Sequence, residues 1–270
     1  MKNTKRHITP LLLVFIGLAL FSGCSSQAKL SKDGVTLRLK PQQGKTYTIT
    51  KNINMMIMME VQGQSMNMSQ NLETRQTFTA KETNETQSVI ETQIEAIKMS
   101  ISQMGMKLEY DSEHPEKTSP MIAGQANEMG QYLKKLDTVT YDAMGRIIDS
   151  LKLEMNELGA AIVELPKEEV TVGSTWTFNN PQKVSGTEMN TKMTYTVTAI
   201  SKKSVDITIT GTVEADSNEM SGTYTGTASI NPQTGLVIQD NTKFNLSMTL
   251  NEQGMSIPMT IVGNTTVEVK

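Results

Sequence analysis

The chain has 270 residues, with 25 basic against 28 acidic, a single cysteine, 20 methionines and only 4% aromatic residues. A slightly acidic chain without basic clusters is a poor partner for nucleic acid and for anionic lipid headgroups. A lone cysteine excludes an intrachain disulfide, so stability must come from core burial, and the length allows one large domain or two packed halves.

The chain opens with Lys2, Lys5 and Arg6, followed by an apolar run from Leu11 to Phe21 and the small residues Ser22 and Gly23 before Cys24. A basic start, a short apolar run and a small-residue boundary make a secretory signal. The run is too short to span a bilayer, which needs about 20 apolar residues. Leu20-Phe21-Ser22-Gly23-Cys24 resembles the lipobox of bacterial lipoproteins, with Phe21 where leucine is usual. The resemblance implies cleavage after residue 23, a lipid such as palmitate on the Cys24 sulfur, and acylation of the new amino terminus. Several acyl chains, at about 0.8 kcal/mol per buried methylene, hold a protein on a membrane where one chain would not. Without Lys2, Lys5 and Arg6 the chain carries 22 basic and 28 acidic residues. Residues 24–34 read as a polar tether. Ser25 follows the cysteine, and the sorting rules of some Gram-negative bacteria then imply the outer membrane, facing the periplasm.

Residues 35–40 alternate and predict a first strand. From Thr46 to Lys81 the pattern predicts a long hairpin. Ile53, Met55, Ile57, Met59 and Val61 share one face, with Asn52, Asn54 and Glu60 on the other. With Gly63 and Gln64 as loop residues, Val61 faces Met66, Met59 faces Met68, and Met55 faces Leu72. Residues 86–102 read as a strand with imperfect alternation, and 104–111 as a short one. Residues 111–118 form a polar loop. Ser119-Pro120 starts a helix, with Ile122, Ala126, Met129, Leu133 and Leu136 at helical spacing over three to four turns. Residues 136–141 read as a strand, 142–145 as a turn and 146–149 as its return. Leu151, Met155 and Leu158, closed by Gly159, predict a second short helix. Glu164-Leu165-Pro166 reads as a linker.

The second part echoes the first. Gly173-Ser174-Thr175-Trp176-Thr177 matches Gly44-Lys45-Thr46-Tyr47-Thr48, and residues 248–259, turning near Gly254, carry methionines on both flanks like the earlier hairpin. Strands are predicted near 193–200, 205–213, 222–230, 236–250 and 255–269, separated by polar turns. The expected fold is mainly β and antiparallel, in two related β-rich halves, 35–160 and 161–270. They form a curved sheet, open barrel or sandwich with one or two short helices packed on it.

No catalytic set emerges. His114 is the only histidine after the signal and sits beside Pro115 in a polar loop. Carboxylates are numerous, but no two are singled out. Asp216 to Glu219 matches only part of a calcium loop and reads better as a turn. No metal and no cofactor is expected. Met55, Met59, Met66 and Met68 lie where a core or cavity needs side chains, which favours an apolar lining over a thioether site for Cu(I).

The lipobox, the Val35-Thr36-Leu37-Arg38-Leu39 segment, the Gly44-to-Thr48 motif, the methionine hairpin and Leu165-Pro166 with Val172-Gly173-Ser174-Thr175-Trp176 resemble a family of uncharacterised bacterial envelope lipoproteins frequent in Bacteroidetes-like bacteria. That family is a domain of unknown function, so the resemblance implies fold and address but transfers no functional residue. A more distant resemblance is to periplasmic lipoprotein carriers. The function expected is a lipid-anchored, non-enzymatic envelope protein that binds a hydrophobic ligand or another envelope component. A structural protein with a filled core is the alternative. The expected sites are Cys24 for lipidation and Met55, Met59, Met66 and Met68 for lining.

Overall fold

The computed structural model describes residues 34–61, 63–150, 162–184, 187–215, 220–252 and 255–270. The signal, Cys24, most of the tether, the second helix expected over 151–159, residues 216–219 and Gly254 lie outside the described residues. The strands are β1 Thr46–Val61, β2 Gln64–Thr83, β3 Gln87–Gln103, β4 Met106–Asp111, β5 Leu136–Asp142 and β6 Ile147–Ser150. They continue as β7 Thr175–Val184, β8 Thr187–Ile200, β9 Val205–Ala215, β10 Met220–Ile230, β11 Val237–Glu252 and β12 Met255–Val269. Among the described residues there is one short α-helix, α1, over Ala123–Gly130.

All twelve strands join one antiparallel sheet in the order β6-β5-β3-β2-β1-β12-β11-β10-β9-β8-β7, with β4 paired to β3. The first and last long strands are therefore neighbours, and β6 and β7 are the two edges. Alternation is the reason these segments are strands: on β9 the residues Val205, Ile207, Ile209 and Val213 are buried while Thr210, Thr212 and Glu214 are exposed.

The sheet curls. Tyr141 on β5 and Trp176 on β7 pack on one apolar cluster, although eight strands separate them in the sheet. At about 4.8 Å per strand a flat sheet would hold them tens of ångströms apart. The cluster is filled from within by two extended segments, residues 35–40 and 162–170. Leu37, Leu39 and Leu165 are almost fully buried among Tyr47, Phe78, Tyr195, Ile207 and Ile230.

Residues 35–40 are thus not the first strand of the sheet. Only Val35 makes a bridge, to Val170. The Leu39 amide donates to the Ala143 carbonyl and the Lys40 amide to Thr234. Likewise, 164–166 is not a linker: the Leu165 amide donates to Met144, and the Trp176 indole donates to the Glu164 carbonyl at 2.8 Å. These segments plug one end of the curled sheet. Gly235, at φ +70°, lies so close to the plug that a Cβ there would stand 2.3 Å from the Arg38 carbonyl oxygen.

Three further elements differ from the pattern of the sequence. The β1–β2 hairpin closes at Val61 against Gln64, so Met59 faces Met66 and Ile57 faces Met68, two residues away from the expected register. The cause is Gly63, at φ +76°, which stands one place later in the turn than expected. A two-residue slip preserves the faces, so the apolar side stays apolar. The imperfect alternation of β3 comes from a bulge where Arg75 and Gln76 pair with Ala96 and Ile94, which leaves Ala96 and Ile97 both buried. The helix is shorter than its spacing suggests: Lys134 takes φ +61° and Leu136 already belongs to β5, more than half exposed.

Candidate functional site

Residues directly opposed across antiparallel strands share a face. The face that carries the plug can therefore be read upward in rows across β2, β1, β12, β11 and β10. Nearest the plug stand Thr74, Lys51, Val267, Asp240 and Ala228. The next row holds Leu72, Ile53, Thr265, Thr242 and Gly226. Above it come Gln70, Met55, Gly263, Phe244 and Tyr224, then Met68, Ile57, Ile261, Leu246 and Gly222. The last row, at the hairpin ends, is Met66, Met59, Met259, Met248 and Met220.

Burial changes along these rows. Next to the plug Val267 and Ala228 are buried, whereas Met55, Phe244, Tyr224, Leu246, Ile261 and the whole methionine row remain half-exposed. The glycines are part of this wall. A Cβ at Gly263 would stand 2.6 Å from the Phe244 ring, and one at Gly222 would stand 2.4 Å from Leu246. Their absence lets those two side chains lie against the sheet. Helix α1 and the 3-10 turn before it, Pro120–Ile122, cover a different part of the same face: Ala126 and Ile122 pack with Ile94, Ile97, Met99 and Tyr110 on β3 and β4.

Between plug and wall lies a polar belt. Burial pushes the Asp240 carboxyl up from the ordinary 3.8 to about 6, opposed by a hydrogen bond from the Thr242 hydroxyl at 3.0 Å and by the charge of Lys51. Burial, with Asp240 and Glu164 nearby, lifts the Tyr195 phenol to about 12. Tyr195 stacks on Trp176 at 5.2 Å between ring centroids. Thr74 and Gln76 are also buried on this side of β2.

All four methionines expected as lining lie on this face, Met59 and Met66 in the rim row, Met68 one row below and Met55 two. Reading the chain did not single out Met248, Met259, Met220 or Asp240. The repeat of methionines on both flanks of the last hairpin was the available signal for the first two. The opposite face is mainly polar, interrupted by Met56 and Met58. It carries two hollows of about 630 and 590 Å³, the first lined largely by residues such as Thr50, Asn52 and Asp206, the second by Ser65, Asn67 and Ser247 together with Met58 and, from the rim row, Met59, Met248 and Met259. His114 is exposed, with Glu116 3.5 Å away. Among the described residues, no group of three or more His, Cys, Asp or Glu is placed to hold a metal ion, and no helix is long and apolar enough to cross a membrane.

A family model, described as a family of unknown function (DUF6263), matches residues 149–237, from the edge strand β6 to the start of β11. No curated protein matches the chain. Among solved structures, a lipovitellin described for its lipid–protein interactions is similar over 85% of this chain, at 11% identity and a TM-score of 0.50. The chain spans about a quarter of that lipovitellin chain, 25% of its length. The translocator domain of the autotransporter NalP from Neisseria meningitidis is similar over 85% of this chain and 90% of its own, at 9% identity and a TM-score of 0.39. At such identities the lipovitellin likeness is one of fold.

Proposed function

We propose that this chain is a lipid-anchored, non-enzymatic protein of the cell envelope, tethered through Cys24 and facing the periplasm, whose plugged face binds a hydrophobic ligand bearing acyl chains. The observation that carries this reading is the apolar wall left half-exposed above a filled plug. Phe244, Leu246, Ile261, Met55 and Met68 all point to one side, and α1 and the plug pack elsewhere on it. Covering apolar surface releases about 25 cal/mol per Å², so an acyl chain gains from lying there. Methionine suits such a wall because its unbranched, polarisable side chain adapts to varied apolar partners. The polar belt at Lys51, Asp240 and Thr242 gives the wall a lower limit. A filled structural core, the competing reading, fits the plugged end but leaves the wall without a purpose.

The non-enzymatic part of the reading is supported by the exposed loop position of His114. The test is native mass spectrometry of the full-length protein extracted in mild detergent, paired with fluorescence titration by N-phenyl-1-naphthylamine. Co-purified acyl lipid and saturable dye binding, both lost in Phe244→Asp/Leu246→Asp, are the expected results. A ligand-free protein with no saturable dye binding overturns the reading. Anchoring is tested separately, by palmitate labelling that Cys24→Ala abolishes.

A further inference from the structure

We propose that the rim row is a thioether site for a soft monovalent cation, Cu(I), with Ag(I) as its redox-inert probe. Met66, Met59, Met259, Met248 and Met220 occupy directly opposed positions on five adjacent strands. Opposed side chains on neighbouring strands have Cβ atoms about 4.5–5.5 Å apart. Met259 is the middle member, directly opposed to Met59 on one side and to Met248 on the other, and a thioether arm is long enough for the three sulfurs to meet over one ion. Three sulfurs gathered in this way form a neutral, soft ligand set. Such ligands select Cu(I), whereas Mg²⁺ and Ca²⁺ require oxygen. The row contains no carboxylate and no imidazole, so it offers harder ions nothing.

The apolar wall alone does not explain this row. Below it the same strands are furnished with Ile57, Ile261, Leu246 and Phe244. A surface that needed only carbon would continue in that style, because branched and aromatic residues fit strands better than methionine does. Methionine also loses more rotamer freedom on burial than leucine or isoleucine. Five in succession is a choice of sulfur. The row is half-exposed at the hairpin ends, so an ion reaches it directly from solvent. Met55, Met59, Met66 and Met68 of the first hairpin alone would make only a plain lining. Pairing with β12, β11 and β10 brings three more beside them, at the rim and away from the filled core.

Cation binding uses the sulfurs, whereas acyl binding uses the carbon surface, and one variant separates the two. Met59→Leu/Met248→Leu/Met259→Leu keeps volume and apolarity and removes three thioethers. Met104→Leu/Met106→Leu removes two exposed methionines outside the row and serves as control. Full-length protein carrying methyl-labelled methionine is titrated with Ag(I) by NMR, and Cu(I) affinity is measured by competition with bicinchoninate. The row methyl signals, assigned through single leucine variants, are expected to move first and to saturate near one ion per chain. The triple variant is expected to lose at least the roughly 10–100-fold that removing even a ligand's supporting partner costs. The control keeps the wild-type affinity. Row signals that do not move, or that move together with those of Met104 and Met106, overturn the site without reference to any variant. Loss of dye binding with Ag(I) still confined to the row would defeat the acyl-ligand reading and leave this one standing. Dye binding retained with no Ag(I) uptake would do the reverse.

Discussion

Asp240 makes stability depend on pH in a direction opposite to that of most carboxylates. Its folded-state pKa is raised from 3.8 to about 6, because burial beside Val267 and Ala228 penalises the charged form more than Thr242 and Lys51 restore it. A raised pKa means that the folded state holds the proton more tightly than the unfolded chain. The stability this confers is complete below about pH 4 and is lost as pH rises through about 6. At 1.36 kcal/mol per pKa unit the loss amounts to about 3 kcal/mol. Asp240→Asn keeps an acceptor for the Thr242 hydroxyl and removes the titration. The variant should therefore match wild type near pH 4 and exceed it by up to ~3 kcal/mol at pH 7–8. Urea unfolding of both proteins at pH 4, 5, 6 and 7 measures this, and the difference between them cancels every other titrating group. A difference that is flat across the range, or a variant less stable at pH 7, would show that Asp240 is well solvated or firmly paired, and the buried belt would have to be abandoned.

Lys51→Met should raise the Asp240 pKa further, shifting the same transition to higher pH, and is read from the same curves. Leu39→Ala, at the heart of the plug, should cost about 2–5 kcal/mol in urea unfolding, because the sheet curls round a side chain that cannot be replaced by collapse. Gly235→Ala should cost at least the ~1–2 kcal/mol of a left-handed backbone, and more for the Arg38 carbonyl that must move. Leu39 and Gly235 act on the same plug, so their double mutant should fall short of additivity. Trp176→Phe should lose about 1–2 kcal/mol by leaving the Glu164 carbonyl without its indole donor, and near-ultraviolet circular dichroism should report the lost stacking on Tyr195.

Much of this fold was legible in the chain because hydrophobic alternation reports which side of a strand is dry. The two faces of β1 and β2 follow from it, as does the polar side at Asn52, Asn54 and Glu60. Alternation does not report which backbone a segment bonds to. Residues 35–40 alternate as a strand does, yet their amides bond to turns at Ala143 and Thr234 inside the curl. Register was lost by two residues at one turn, since Gly63 can serve either loop position. Leu133 and Leu136 continue the spacing of α1 by coincidence: the helix ends at Gly130, Leu133 bridges to Ile94, and the backbone reversal at Lys134 leads Leu136 into β5. The methionine row was hidden for a related reason. Each member is visible, but their alignment depends on pairings between residues some 200 positions apart, such as Met59 with Met259. Asp240 is perturbed by neighbours on β10 and β12 that its own flanking residues do not announce.

The pairing of β1 with β12 also governs how the molecule comes into being. Ile49 meets Val269, so the middle of the sheet is made by the two extremes of the described chain. Closing so long a loop is entropically slow, and topologies dominated by distant contacts fold at the slow end of the range. The strands before β7 can zip into a meander as soon as they emerge, but β1 keeps one raw edge until β12 arrives. On the proposed route, amino-terminus first across a membrane, that edge would stay open until β12 docks, and this interval is when a holding chaperone would matter most.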